Sequence, residues 1–280
     1  MSYVISNRPM TDLSEAARAE IAALIKARPE LLLSIREVRQ IVAKERFERQ
    51  MAAEGGGIRH LDRPPEDNAG NTIPYSIFAL TDSVGVILDR PIVLAKVVTA
   101  IEWVANRAPS LKVLTVGPRS EIEIFGLEAM GFALHNIHAL DLISYSPLVT
   151  VGDMHAMPFE DGFFDVLIMG WVFSYSANPA KAVEEILRCT HDGAIVAISN
   201  DWGKPDATPS PEVPEGLRPR NSVYIQNCAQ ILDYFPPENV GRIFFRQDAN
   251  PPETHASMIV FEVRHPGAAG QGKAGQGDGA

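Results

Sequence analysis

Cysteine is nearly absent: the 280 residues hold only Cys189 and Cys228, each in a helix-like segment and neither near other metal-ligating side chains. That spacing argues against a disulfide framework and a zinc site. It leaves two buried thiols in a reducing compartment, so a cytoplasmic protein is expected. Positive charge is also in deficit. Twenty-five Lys and Arg stand against 35 Asp and Glu, and the resulting charge of −10 argues against a broad nucleic-acid interface. No apolar run is long enough to span a bilayer. The opening residues, MSYVISNRPMTD, lack a basic stretch followed by an apolar core, so no secretory signal is expected. A Walker phosphate loop, a GxGxxG turn after a strand, an HExxH pair and a serine-hydrolase elbow are all missing.

What is present is a globular composition, 46% hydrophobic, enough for one sizeable α/β domain with an added segment or for two small domains. Residues 11–53 are helical in pattern. Thr11, Asp12 and Ser14 offer caps, and Pro29 divides the stretch into helices over Ser14–Ala27 and Pro29–Ala53. In the second, Leu32, Ile35, Val38, Ile41 and Val42 recur at helical spacing. Gly55-Gly56-Gly57 ends it, and LDRPPEDNAGNTIP reads as a linker. Pro91–Ala108 is a second amphipathic region. We divide the chain into an N-terminal helical segment (1–63), a linker and helical cap (64–110), a main domain (111–265) and a disordered glycine-rich tail (266–280). The N-terminal helices either pair two chains as a homodimer or cover the domain.

Beyond residue 110 the rhythm changes. KVLTVG, NIHALDL, LVTVGDM, FFDVLIMGW and GAIVAISN are short strand-like runs, separated in part by the helix-like SEIEIFGLEAMGF and NPAKAVEEILRCT. Such alternation predicts βαβ units and a parallel sheet with right-handed crossovers. Residues 201–220 form a proline-rich loop and Val223–Phe235 reads as a helix. RIFFRQDANPPETHASMIVFEVR then holds two strand patterns around a turn, an antiparallel hairpin. The fold class expected is α/β: a doubly wound, Rossmann-like, mostly parallel seven-stranded sheet with a C-terminal antiparallel hairpin and N-terminal helices.

Four blocks carry ligand chemistry. VLTVGPRSE brings a strand into a turn at Gly117, where a Cβ would collide with a ligand or forbid the turn. Asp141 ends IHALDL, where an acid accepts hydrogen bonds from ribose hydroxyls, caps a helix or stays on the surface. GDMHAMPFEDGFFDVL carries Asp153, Met154 and His155 ahead of a Met-Pro-Phe turn and a Phe-Asp pair. MGWVFSYSANPAKAVEEILRCTHDGAIVAIS leads from a strand end through Gly170 and Trp171 to a helix and the next strand.

In this order the blocks resemble the class I S-adenosylmethionine (SAM)-dependent methyltransferases of the type 11 kind, over about residues 112–199. The departure is at the glycine-rich motif, where Pro118-Arg119-Ser120-Glu121 replaces the usual later glycines. The resemblance implies SAM as cofactor. Gly117, Pro118, Arg119 and Glu121 would form its turn, Asp141 would bind the ribose and Asp153 would accept from the adenine amino group. Met154 would pack beside the ring, with Gly170 and Trp171 near the cofactor. Asp153 has a plain alternative as a turn residue, and Trp171 as ordinary core. Pro158, Phe159 and Asp165 read as structural. His155 is the nearest candidate base for an oxygen or nitrogen acceptor, or else lines the nucleoside pocket. No metal is required. The expected function is methyl transfer to a small-molecule or saccharide acceptor. The alternatives are a catalytically inactive methyltransferase-like binding or scaffold protein, and a nucleotide-sugar or NAD-dependent enzyme on a related sheet.

Overall fold

The computed structural model describes residues 14–62, 72–81, 86, 92–201, 223–251 and 253–266. The expected caps at 11 and 12, nearly all of the 201–220 loop and the tail beyond 266 lie outside the described residues. Nine strands are described: β1 (Arg59–His60), β2 (Val113–Val116), β3 (Ile137–Asp141), β4 (Ile143–Ser144), β5 (Thr150–Val151), β6 (Phe164–Gly170), β7 (Thr190–Asp201), β8 (Val240–Gln247) and β9 (Ala256–Val263). Seven form one sheet in the order β5-β3-β2-β6-β7-β9-β8, while β1 and β4 pair separately. The first five of the seven run parallel, whereas β9 is antiparallel to both β7 and β8. The seven-stranded, mostly parallel α/β sheet and its terminal antiparallel pair are as the sequence predicts.

Alternation along each strand supplies two cores. Leu114, Val116, Leu167, Met169, Val196 and Ile198 point to one face, and Val113, Val166, Ile168, Ile195 and Ala197 to the other. The first face is covered by α7 (Pro179–Cys189), which Asn178 caps by accepting from the Lys181 N–H, and by α8 (Cys228–Leu232). The second is covered by α4 (Ile92–Thr99) and α6 (Glu121–Ala129) through Leu94, Val98, Ile124 and Leu127. So α4, which lies before residue 110, packs into the sheet's own core. Between it and β2 lies the short α5 (Glu102–Ala105).

The N-terminal helices differ from expectation in one respect. The first, α1 (Glu15–Ala27), is capped by Ser14. Pro29–Ser34 is then a 3-10 turn, and α2 (Arg36–Ala52) starts only after the extended Ile35. Helix α2, with α3 (Thr72–Thr81), forms a third apolar cluster against Ile122, Phe125, Ile143 and Tyr145. Helix α1 buries no residue, and Ile21 and Leu24 stay exposed. Among the described residues no helix is long and apolar enough to cross a membrane.

Candidate functional site

Strand β2 lies between β3 and β6. The chain passes outward through β3 and β5, then returns to the other side of β2 as β6 and β7. In doubly wound sheets such a reversal marks where ligands bind, in the crevice at the carboxyl ends of the strands. Five segments meet at this rim: Gly117–Ser120 after β2, Asp141 at the end of β3, Gly152–Met157 after β5, Trp171–Ser176 after β6, and Asn200–Asp201 closing β7.

Gly117 turns the chain with φ +76°, and its N–H donates to the Leu140 carbonyl at 2.8 Å. A Cβ here would stand 2.4 Å from Val172 Cγ1, so within this chain it is Val172 that requires the glycine. Arg119 follows at φ +54°, a conformation rare for a residue with a Cβ. Its N–H donates to Asp141 Oδ2 at 2.8 Å, and the Ile143 N–H donates to Oδ1 at 3.2 Å. Burial pushes the Asp141 pKa up, against the pull of these bonds and of the Arg119 charge. The Arg119 guanidinium lies 5.2 Å from the centre of the Tyr75 ring, with a buried Nε that has no partner. Pro118 is buried behind the turn.

Glu121 is placed differently from its neighbours in the turn. It is fully buried at the start of α6, and its carboxylate takes Arg46 Nε at 2.5 Å, Arg46 Nη2 at 2.9 Å and the Ser146 hydroxyl at 2.5 Å. It fastens α2 to the domain, and its oxygens are used in doing so.

Asp153 and His155 come together. Asp153 Oδ1 accepts from the His155 N–H at 3.1 Å and stands 2.7 Å from Nδ1. The other ring nitrogen is 2.6 Å from Ser176 Oγ, across the crevice mouth in the segment after β6. With Nδ1–H donating to the acid, Nε2 receives the serine proton. The order Asp-His-Ser is that of a nucleophilic relay, but Ser176 has no exposed surface and its oxygen also accepts from the Asn178 N–H. The three act as a strut between two segments. Met154 is partly buried against the core. The rest of this segment is bolted to α7: the Met157 N–H donates to Glu185, and Arg188 donates to the Met157 and Phe159 carbonyls and to Asp161. The Arg188 guanidinium holds the Glu185 carboxyl below its usual range. Asp165 is structural, its Oδ2 accepting from the Lys112 N–H at 2.7 Å.

Past Gly170, Trp171 sits at φ +59°, an outlier for a bulky side chain. It is held there by N–H donation to the Ser199 carbonyl at 2.9 Å and by Nε1–H donation to Asp201 at 2.7 Å. Such strain persists where the surroundings over-determine it, commonly at ligand sites. Asn200, not singled out in the sequence, is fully buried beside it. Its Oδ1 accepts from the Ser174 N–H at 3.0 Å, while Nδ2 has no partner. A polar residue ending the apolar run AIVAIS was the only signal for it. For Arg46, Val172 and Ser176 there was none.

Residues 127–198 match the family described as methyltransferase domain. No curated protein matches the chain. Among solved structures it is similar to a SAM-dependent methyltransferase from Aquifex aeolicus, with 18% identity over 62% of this chain and 98% of that one, at a TM-score of 0.38. A SAM-dependent methyltransferase from Methanosarcina mazei shows 11% identity over 58% and 97%, at 0.42. The trans-methyltransferase CalH, in complex with SAH, shows 14% over 69% and 66%, at 0.41. The family match falls within the doubly wound sheet, from α6 through β7.

Proposed function

We propose that this chain binds SAM across the crevice and transfers its methyl group to a small-molecule or saccharide acceptor. The observation that carries the reading is the placing of two acids beside the Gly117 turn. Asp141 pairs with Val151, the last residue of β5, so Asp153 follows two residues past the end of the neighbouring strand. An ionised carboxylate has about four lone-pair sites. Asp141 spends two on the Arg119 and Ile143 N–H groups, and the others suit ribose hydroxyls. The partnerless Nε of Arg119 suits an oxygen of the ligand. These residues fit the cofactor.

Bound SAM supplies a sulfonium-activated methyl group. The chain's task is to fix the approach of the acceptor in line and to exclude water. Trp171 and Asn200 stand on the β6–β7 side of the crevice, beyond the nucleoside acids. There we assign them to the acceptor, with Asn200 Nδ2 as a donor to it. His155 orients Asp153; removing a proton from an acceptor would first require it to release Ser176. Two buried thiols suit the cytoplasm as the site of reaction.

Val172 lying on the open face of Gly117 favours a second reading, a binding protein that keeps the sheet without the chemistry. Calorimetry separates the two. Micromolar binding of SAM and S-adenosylhomocysteine, weakened about tenfold or more in Asp141→Asn and Asp153→Asn, is expected for the loss of charge-assisted hydrogen bonds. No binding of either ligand, or stabilisation by NAD instead, would overturn the proposal.

A further inference from the structure

Val223, Tyr224, Ile225, Gln230, Asp233 and Tyr234 line a cavity of ≈ 480 Å³. It forms where the extended stretch before α8 meets that helix. Two contacts tie it to the segment after β6: the Val223 N–H donates to the Ser174 carbonyl at 3.3 Å, and Tyr234 packs edge-on to Phe173 at 5.6 Å. The cavity therefore adjoins the rim on the side of Asn200, whose Oδ1 holds the same Ser174.

The chemistry of its wall is specific. The six lining residues bring two phenol rings, two aliphatic side chains, a carboxylate and an amide, and none of them is basic. The Gln230 Oε1 is already used by the Gln226 N–H. Asp233 is exposed, and among the described residues its carboxylate makes no hydrogen bond or ion pair, in contrast to Asp161, Asp165 and Asp248, each held by a cationic or ring-nitrogen partner. A free carboxylate beside aromatic rings attracts a cation, and the ring quadrupoles add to that attraction. Val223 and Ile225 suit methyl and methylene groups. An anionic ligand would face the Asp233 charge with no cation among the six residues to offset it.

We infer that this cavity binds a small organic ammonium group, protonated or quaternary, with Asp233 as counter-ion and Tyr224 and Tyr234 as its aromatic walls. An ammonium nitrogen has no lone pair, so it is an anchor and not the atom that is methylated. That it anchors the methyl acceptor rests on the methyl-transfer reading; that it binds a cation does not.

Choline chloride serves as probe, with its neutral isostere 3,3-dimethyl-1-butanol as control, titrated into the full chain without cofactor and followed by NMR shifts. Choline is expected to saturate, and to bind about tenfold more tightly than the isostere, the scale of a cation held by aromatic faces and a counter-ion. Asp233→Asn and Tyr224→Leu should each weaken choline severalfold and leave the melting temperature in place, since Tyr224 is 44% exposed and Asp233 is exposed. Equal binding of choline and the isostere, no saturation by choline, or unchanged affinity in Asp233→Asn would each overturn the inference. S-adenosylhomocysteine affinity, measured on the same samples, reports separately on the methyl-transfer reading. Choline binding without it keeps the cation site and removes its link to the acceptor.

Discussion

Replacing Arg46 by methionine should cost about 3 kcal/mol of folding stability at pH 7, and the cost should shrink in acid. Arg46 makes two hydrogen bonds to Glu121, a residue with no exposed surface, and the carboxylate in turn holds the guanidinium in its charged form. Methionine keeps the packing of the side-chain stem and removes the charge. A carboxylate left buried with only Ser146 as partner costs about 3–5 kcal/mol when its cation is deleted. The side chain of Arg46 is 34% exposed, so water reaches the pair and the lower figure applies. There is also a ceiling. Protonating an ordinary glutamate at pH 7 costs about 3.7 kcal/mol, and that escape becomes cheaper by about 1.4 kcal/mol for each pH unit of acidification. Urea unfolding of wild type and Arg46→Met at pH 7 and pH 5.5 measures both effects. The double variant Arg46→Met/Glu121→Gln should recover part of the loss, since it buries no charge. A loss below about 1 kcal/mol at pH 7, or one that grows in acid, would refute the assignment of this pair as the fastening of α2 to the domain.

Two further expectations concern the core of the site and the thiols. Gly117→Ala should destabilise by about 2–4 kcal/mol, about 1 from the left-handed backbone and the rest from the clash with Val172; adding Val172→Ala should relieve the clash and leave the backbone cost, as a double-mutant cycle in urea would show. Burial raises the pKa of Cys189 to about 11 and of Cys228 to about 12. A thiol reagent at pH 8 should therefore label neither in the folded protein and both in urea. Raised pKa values also fix the sign of the pH effect. Up to the ordinary thiol value near 9 the two cysteines give no slope. Above it the unfolded chain loses protons that the folded one keeps, and stability falls by about 1.4 kcal/mol per unit for each thiol until the folded value is reached. The Cys189→Ala/Cys228→Ala variant should lose that part of the slope.

The strands were legible because β-branched, apolar runs of four to eight residues, stopped by glycine or an acid, have little other use, and both sheet faces are buried. Boundaries were less so. The helix expected from Pro29 begins at Arg36, because the first six residues pack as a 3-10 turn that apolar spacing alone does not separate from an α-helix. The helix expected over Val223–Phe235 shrinks to Cys228–Leu232, and its true start was written in Asn227, which caps by accepting from the Gln230 N–H. Strand β7 starts at Thr190, before Gly193, since the Phe164–Val166 irregularity in the pairing with β6 takes up the glycine at φ +84°. In the site, Asp141 was legible as the acid that stops the apolar run IHALDL, while Asp153 was singled out by the resemblance of its whole block. Their partners were not. Arg46 reaches Glu121 across 75 positions of chain, and Ser176 meets His155 across 21, distances over which one sequence carries no pairing signal.

The Asp153–His155–Ser176 strut has a mechanical consequence. It ties the segment that carries Asp153 to the segment that carries Ser174, and through the Val223 N–H to the wall of the cavity beside α8. A ligand that shifts Asp153 by even a few tenths of an ångström must stretch or drag that tie, and a ligand that shifts Ser174 pulls on its other end. The free energy of such communication is reciprocal, so whatever one guest gains from the presence of the other is returned in equal measure. Cutting the tie at His155 removes this direct link between the two segments.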